Sequence, residues 1–432
     1  MIIADCSAPV GSMLREQAIA MFRGGVAASD PERAVTSALE GRLDAIAAAR
    51  RVILIAFGKA ACLMTRAALP FVRDKLHCAR AVTNQENLKD IEDVHVIAGG
   101  HPLPNEGSIA AAHAVERAAR AAEPGDLVLV LVSGGGSALI CAPVPGLSLA
   151  DKIALNDALI RSGAEIKEIN AVRQQFSRLK GGRLAQLAPG ARILSLILSD
   201  VPGDDVGTIA SGPTAQPSAT AAEVLAILER YGLRDSLPGT IRSQVNHLVR
   251  DEAKRFDHVE NVIIGSNSIS LQQVITSAHA SYPIVLKAGD WLGGDVSDVA
   301  QTMHRKAIDA SNQRGPVAIV AGGEPTVRVV GTGMGGRNQE LVLRFALLNE
   351  LAAINRPWVF LSGGTDGRDG PTDAAGGIVD PSSTSRMRTG GCNPVALLEN
   401  NDSYRALQSS GDLLITGATG TNVADLQILL MQ

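Results

Sequence analysis

An apolar run, a glycine-rich turn and an amphipathic helix recur in that order along the chain, and this repeat restricts the fold more than any other feature. Arg51-Val-Ile-Leu-Ile-Ala-Phe57 leads into Gly58-Lys59, Asp126-Leu-Val-Leu-Val-Leu-Val132 into Ser133-Gly-Gly-Gly-Ser137, and Ile193-Leu-Ser-Leu-Ile-Leu198 into Ser199-Asp200-Val-Pro-Gly-Asp204. Near-continuous apolar strands alternating with helices require a parallel sheet covered on both faces. In such sheets ligands bind beyond the carboxyl ends of the strands, where these polar turns lie.

The same order returns later. Asn261–Ile264, Pro283–Leu286, Val317–Val320 and Trp358–Leu361 each run into a small, polar turn, and Asp412–Ile415 reads as the last strand. A hairpin at Thr326–Val330 and the Ala375–Asp380 segment predict a mixed sheet in this half. Residues 11–48 read as two helices broken at Asp30-Pro31, and 214–258 as helices and charged stretches. A length of 432 residues suggests two domains, placed at 1–250 and 251–432, with a swap of terminal segments left open.

Composition narrows the function. A net charge of −4 without a long basic run speaks against nucleic-acid binding. The cysteines, Cys6, Cys62, Cys78, Cys141 and Cys392, are scattered and never spaced C-x-x-C. They read as reduced, mostly buried residues of a cytoplasmic protein, neither a disulfide frame nor a zinc site. No signal peptide and no membrane span is expected.

Candidate chemistry lies in the turns. Successive backbone amides at Ser133, Gly134, Gly135, Gly136 and Ser137, opening a helix, suit an anion; the alternative is a tight strand-to-helix turn. Lys59 next to a helix start opposes the helix dipole, a cost that a bound phosphate or carboxylate would offset. Arg337 follows the same logic with a planar fork. Asp200, Asp204 and Asp205 form an acidic turn able to hold Mg²⁺ or accept a proton, although aspartate is common in turns. His101 sits in Gly99-Gly-His-Pro-Leu-Pro104, where exposure without function is the plainer reading. No P-loop string occurs. Gly331, Gly333 and Gly336 match G-x-G-x-x-G but lack the acidic residue a dinucleotide site requires, so they read as a mobile loop.

Taken together, these turns resemble the class II glycerate kinases, the family with a MOFRL-type C-terminal domain. The matching strings include Gly58-Lys-Ala-Ala61, Gly100-His-Pro-Leu-Pro104, Val132–Ala138, Asn170-Ala-Val-Arg173 and Ser177–Leu184. They continue with Leu198–Asp204, Ala210–Thr214, Gly322-Gly-Glu-Pro-Thr326, Gly335–Glu340, Gly363–Gly367 and Thr416–Asn422. One departure is Ala418, where the family usually has proline.

The resemblance implies a Rossmann-like parallel α/β N-terminal domain and a second α/β domain with a mixed sheet, with the active site in the cleft between them. It implies ATP- and Mg²⁺-dependent phosphorylation of D-glycerate to 2-phosphoglycerate. Lys59 and Arg337 become essential residues, with Asp200 a third and the candidate Mg²⁺ ligand. By the same resemblance Ser133–Ser137, Lys180 and Glu324 belong to nucleotide or phosphate binding, and His101, Arg173, Asn338 and Asp366 to the substrate. Expected partners are small molecules, with a homodimer left open. The alternatives are an NAD(P)H-dependent hydroxypyruvate reductase and a non-catalytic sensor of sugar acids or nucleotides.

Overall fold

The computed structural model describes residues 10–245 and 256–432, arranged as two compact units. The first comprises 31–264. The second joins 265–432 to the segment up to Asp30. This differs from the sequence-based division at 250, because the N-terminal helix belongs with the second sheet.

The first unit is built on six strands, β1 (Val52–Phe57), β2 (Leu76–Asn84), β3 (His95–Gly99), β4 (Leu127–Val132), β5 (Arg192–Leu198) and β6 (Val259–Gly265). Their spatial order is β3-β2-β1-β4-β5-β6. β1 to β5 pair in parallel throughout. The alternation of side chains along a strand divides β1 between two cores. Ile53, Ile55 and Phe57 enter one, with Val128 and Val130, while Val52, Leu54 and Ala56 enter the other, with Leu127 and Leu129. Both faces are therefore covered, as the unbroken apolar runs require. β2 and β3 escaped the sequence reading because Arg80, His77 and His95 interrupt their apolar pattern.

The second unit holds β7 (Ile284–Lys287), β8 (Val317–Gly323), β9 (Trp358–Gly364), β10 (Gly376–Val379), β11 (Leu413–Leu414) and β12 (Asp425–Met431), ordered β11-β10-β9-β12-β8-β7. Only β7 and β8 pair in parallel; β12 runs antiparallel between β8 and β9. The sheet is mixed, as expected, but β12 rather than Asp412–Ile415 is the last long strand. The hairpin at Thr326–Val330 is absent. Thr326 makes one isolated bridge with Asp295, and Val329 and Val330 are more than 70% exposed, without a strand to pair with.

The helix Val10–Ala28 buries Leu14, Ala18, Met21 and Phe22 against Val320, Leu361, Leu426 and Ile428. Arg15 adds ion pairs to Asp380 and to the fully buried Asp412. Burial pushes Asp380 upward, yet Arg386 and Arg15 hold it well below the usual carboxylate range.

Both tryptophans, Trp291 and Trp358, lie in the second unit, so tryptophan fluorescence reports its unfolding alone. Phe22→Ala removes a fully buried ring and should destabilise that transition by about 3–5 kcal/mol in urea. An unshifted fluorescence midpoint would show that the N-terminal helix is not part of this core.

Candidate active site

In the first unit the strand order reverses between β1 and β4, which is where a doubly wound sheet opens a crevice for ligands. The segments leaving these two strands are stitched together. Ser133 N–H donates to Phe57 O (3.1 Å), Lys59 N–H to Gly134 O (2.9 Å), and Ala60 N–H to Ser133 Oγ (3.1 Å). Gly58 (φ 127°) needs both its backbone angle and its missing Cβ, which would strike Ser133. Lys59 and the triglycine turn are thus one piece of structure.

Two neighbouring strand ends complete the group. β5 delivers Asp200, whose Oδ2 lies 2.4 Å from the position of a Cβ on Gly134. β3 delivers His101, whose ring lies 2.9 Å from the position of a Cβ on Gly135. Lys59 faces the same glycine. Burial raises the Asp200 pKa, a rise that Lys59 partly opposes. His101 is exposed on one side; burial of the other side and the charge of Lys59 lower its pKa. The cradle has a property the sequence did not reveal. Gly135 is left-handed (φ 84°), and the helix behind it, Gly136–Leu139, has only four residues, so its dipole is small. Cations and the facing carboxyl group set the local potential instead.

Ser137 connects this turn to Lys180, which donates to Ser137 O at 2.9 Å, and its hydroxyl bonds Ser211 at 2.7 Å. Lys180 and Arg173 line one cavity of about 110 Å³ with Lys152 and Asn156. Lys152 and Asn156 were missed by the sequence reading. The signal was present: in helix Leu149–Arg161 the buried positions are Lys152, Leu155 and Leu159, so a lysine occupies the apolar stripe. Burial lowers Lys152 to about 8 and Lys180 to about 7, the latter with help from Lys152 and Arg173.

The remaining expected residues gather in the second unit, around the start of β12. Asp425 is paired with Gly323 at the end of β8 and Gly364 at the end of β9. It accepts two hydrogen bonds from Arg337, at 2.6 and 2.9 Å. Arg337 also bonds the exposed Glu324 at 2.8 Å. The planar fork of Arg337 is thus engaged along one edge by a fully buried carboxylate of the chain itself. Asp369 accepts from the N–H groups of Asn338 (3.1 Å) and Gln339 (2.8 Å), capping the helix Arg337–Leu351. Burial pushes it up to about 6 in spite of those bonds. Asn338 accepts from Ser362, and Asp366 accepts from the Arg368 N–H at the end of β9. Asp425 and Asp369 were missed; Asp425 opens an apolar run, Leu426–Met431, that the reading left unassigned.

The segment Gly331–Gly336, which the sequence suggests is a mobile loop, is laced to residues 400–404. Gly331 N–H donates to Asn401 Oδ1 (2.9 Å), Thr332 N–H to Asn400 Oδ1 (3.0 Å) and Met334 N–H to Asp402 Oδ1 (3.1 Å). Its glycines permit that close approach. Cys62 and Cys141 are buried, Cys78 and Cys392 half-buried, and Cys6 lies outside the described residues. Among the described residues no helix is long and apolar enough to cross a membrane.

The arrangement is a doubly wound sheet whose switch point carries a triglycine turn, with Lys59, His101 and Asp200 against it. The model of the family described as Domain of unknown function (DUF4147) matches residues 17–246, and that of the MOFRL family residues 317–425. D-glycerate 2-kinase of Thermotoga maritima is 38% identical over 97% of this chain and 98% of its own. Glycerate 2-kinase of Pyrococcus horikoshii is 37% identical, covering 97% of each chain. A crystal structure of glycerate kinase from Thermotoga maritima matches with a TM-score of 0.88 at 36% identity, covering 98% of this chain and 100% of that one. The chain belongs to this glycerate 2-kinase family, with its DUF4147 and MOFRL regions in order.

The depressed lysines set a pH test. Their unfolded pKa is ~10.4, so between about pH 7 and 10 the unfolded chain binds more protons, and stability falls as pH falls through that window. Lys152→Met should therefore be more stable than the parent at pH 7, with the difference vanishing toward pH 10, read from far-ultraviolet circular dichroism in urea. An equal difference at both pH values would contradict burial of a charged Lys152.

Proposed function

We propose that this protein transfers the γ-phosphoryl group of ATP to the 2-hydroxyl of D-glycerate, giving 2-phospho-D-glycerate and ADP. The observation that carries the reading is the convergence of Lys59, His101 and Asp200 on the triglycine turn at the β1/β4 switch point. Membership of the glycerate 2-kinase family supports it.

Phosphoryl transfer spreads charge over the γ-phosphoryl oxygens, so positioning and electrostatics supply most of the catalysis. Amides of residues 134–137 and the Lys59 ammonium meet those oxygens in our reading. Asp200, raised in pKa by burial, orients the acceptor hydroxyl and takes its proton. Mg²⁺ fits the same place. Asp200 puts a carboxylate directly against the turn, and among the described residues no group of three His, Cys, Asp or Glu forms a cage. A magnesium ion takes one or two carboxylates plus substrate phosphates, so Asp200 would hold it there, where it neutralises phosphate charge. Whether Asp200 serves mainly as base or as ligand, its loss removes the acceptor-side charge.

Arg337 is our second anion clamp. Asp425 fixes its plane, and the edge bonded to exposed Glu324 is the one a substrate anion reaches by exchange with that carboxylate. We place the enzyme in the cytoplasm, on the scattered free cysteines among its described residues. A reductase name also occurs among the relatives: a putative hydroxypyruvate reductase of Agrobacterium vitis is 37% identical over 95% of this chain. The G-x-G-x-x-G glycines give that alternative no support, since Gly331 and Gly333 pack against Asn400 and Asp402, and Gly336 against Asp369.

Purified protein supplied with ATP, Mg²⁺ and D-glycerate should give immediate signal in an enolase-coupled assay lacking mutase. ADP release without that signal would overturn the 2-position, and no glycerate-dependent ADP would overturn the kinase. Lys59→Ala should lower kcat by about 10²–10³, the usual loss for one charge-stabilising donor, with an unchanged melting temperature. Near-normal turnover in the folded variant would remove Lys59 from the mechanism.

A further inference from the structure

The cavity beside Ser137 holds three cations and no carboxylate. Lys152 and Lys180 are only 8% and 5% exposed. Lys152 donates to Arg173 O at 3.4 Å, a long contact, Lys180 to Ser137 O at 2.9 Å, and Arg173 to Asn156 Oδ1. The charged groups that face the lysines are one another, Arg183 beside Lys152 and the Cys141 thiol. Buried charges are ordinarily paired, because carbonyl dipoles alone replace only part of their lost hydration. Like charges brought together in a poorly hydrated space add repulsion. The rest of the lining includes the apolar wall residues Pro102, Leu103, Pro104 and Ile153, and the volume of about 110 Å³ admits a small molecule only.

We infer that this cavity binds the carboxylate of the acceptor acid, and that Lys152, on the buried stripe of helix Leu149–Arg161, is the residue selecting a short hydroxy-acid anion. The inference rests on the kinase reading and deepens it. A compact carboxylate supplies the missing counter-charge, while the apolar wall accommodates a short carbon skeleton and excludes a second charged group there. Ser137 belongs to both the cavity and the triglycine turn. A carboxylate anchored next to that turn brings the hydroxyl on the adjoining carbon nearest to it, ahead of the hydroxyl one carbon further on. The arrangement thereby accounts for transfer to the 2-position.

Calorimetric binding of D-glycerate, of its uncharged amide glyceramide, and of ADP tests this with the full-length protein, Lys152→Met and Lys152→Arg. The parent should prefer D-glycerate over glyceramide by about tenfold or more, the scale of one charge-assisted hydrogen bond. Lys152→Met should lose that preference while holding ADP within about twofold, and Lys152→Arg should retain most of it. Melting curves establish that both variants are folded. Loss of ADP affinity in place of glycerate affinity would assign the cavity to nucleotide phosphate and overturn the proposal, as would unchanged affinities for all three ligands. The two readings fail separately. Normal D-glycerate turnover and KM in Lys152→Met sinks the cavity assignment and leaves the kinase. Lys152-dependent carboxylate binding without any phosphoryl transfer sinks the kinase and leaves the site.

Discussion

The reversal of strand order between β1 and β4 is the constraint on which the first unit's chemistry depends. Helices that follow β1 and β4 leave on opposite faces of the sheet, so the two chain segments diverge just past Phe57 and Val132. The gap is bridged by backbone, through Lys59 N–H to Gly134 O and Ala60 N–H to Ser133 Oγ. Those bonds hold Lys59 beside the triglycine turn, which Asp200 and His101 approach from beyond the ends of β5 and β3. Side-chain placement there follows from topology, and β2, β5 and the helices serve to keep the two central strands in register.

The second unit solves a related problem differently. Its β8 and β9 both end in Gly-Gly, but an antiparallel strand, β12, lies between them. The carboxyl ends of β8 and β9 therefore flank the first residue of β12, Asp425, and Arg337 is drawn onto that buried carboxylate. A fixed guanidinium plane with one accessible edge is a better anion receptor than a free arginine, because less side-chain freedom is lost when the anion arrives.

Much of this was legible in the sequence where a local rule decides. β1, β4 and β5 are unbroken apolar runs, and the turns after them carry Lys59, Ser133–Ser137 and Asp200 in the expected places. Long-range pairing decided the rest. β12 depends on two partners distant in sequence, and Asp425 gains its meaning only from their meeting. The N-terminal helix could not be assigned to the second unit, since nothing in Leu14, Ala18 and Phe22 names the sheet they cover. The contacts of Gly331–Gly336 were not legible, because close backbone approach and flexibility leave the same residue in the sequence. Lys152 was visible as a lysine on an apolar stripe, a local conflict of the kind that marks functional positions.

We propose that phosphoryl chemistry occurs at the β1/β4 switch point. The most direct measurement is a crystal structure with the β,γ-imido analogue of ATP, Mg²⁺ and D-glycerate bound. The terminal phosphate should lie within hydrogen-bonding reach of the Lys59 ammonium and the amides of residues 134–137, with Asp200 on the acceptor side. A terminal phosphate bound away from that turn, with Lys59 and Asp200 touching neither ligand, would contradict it.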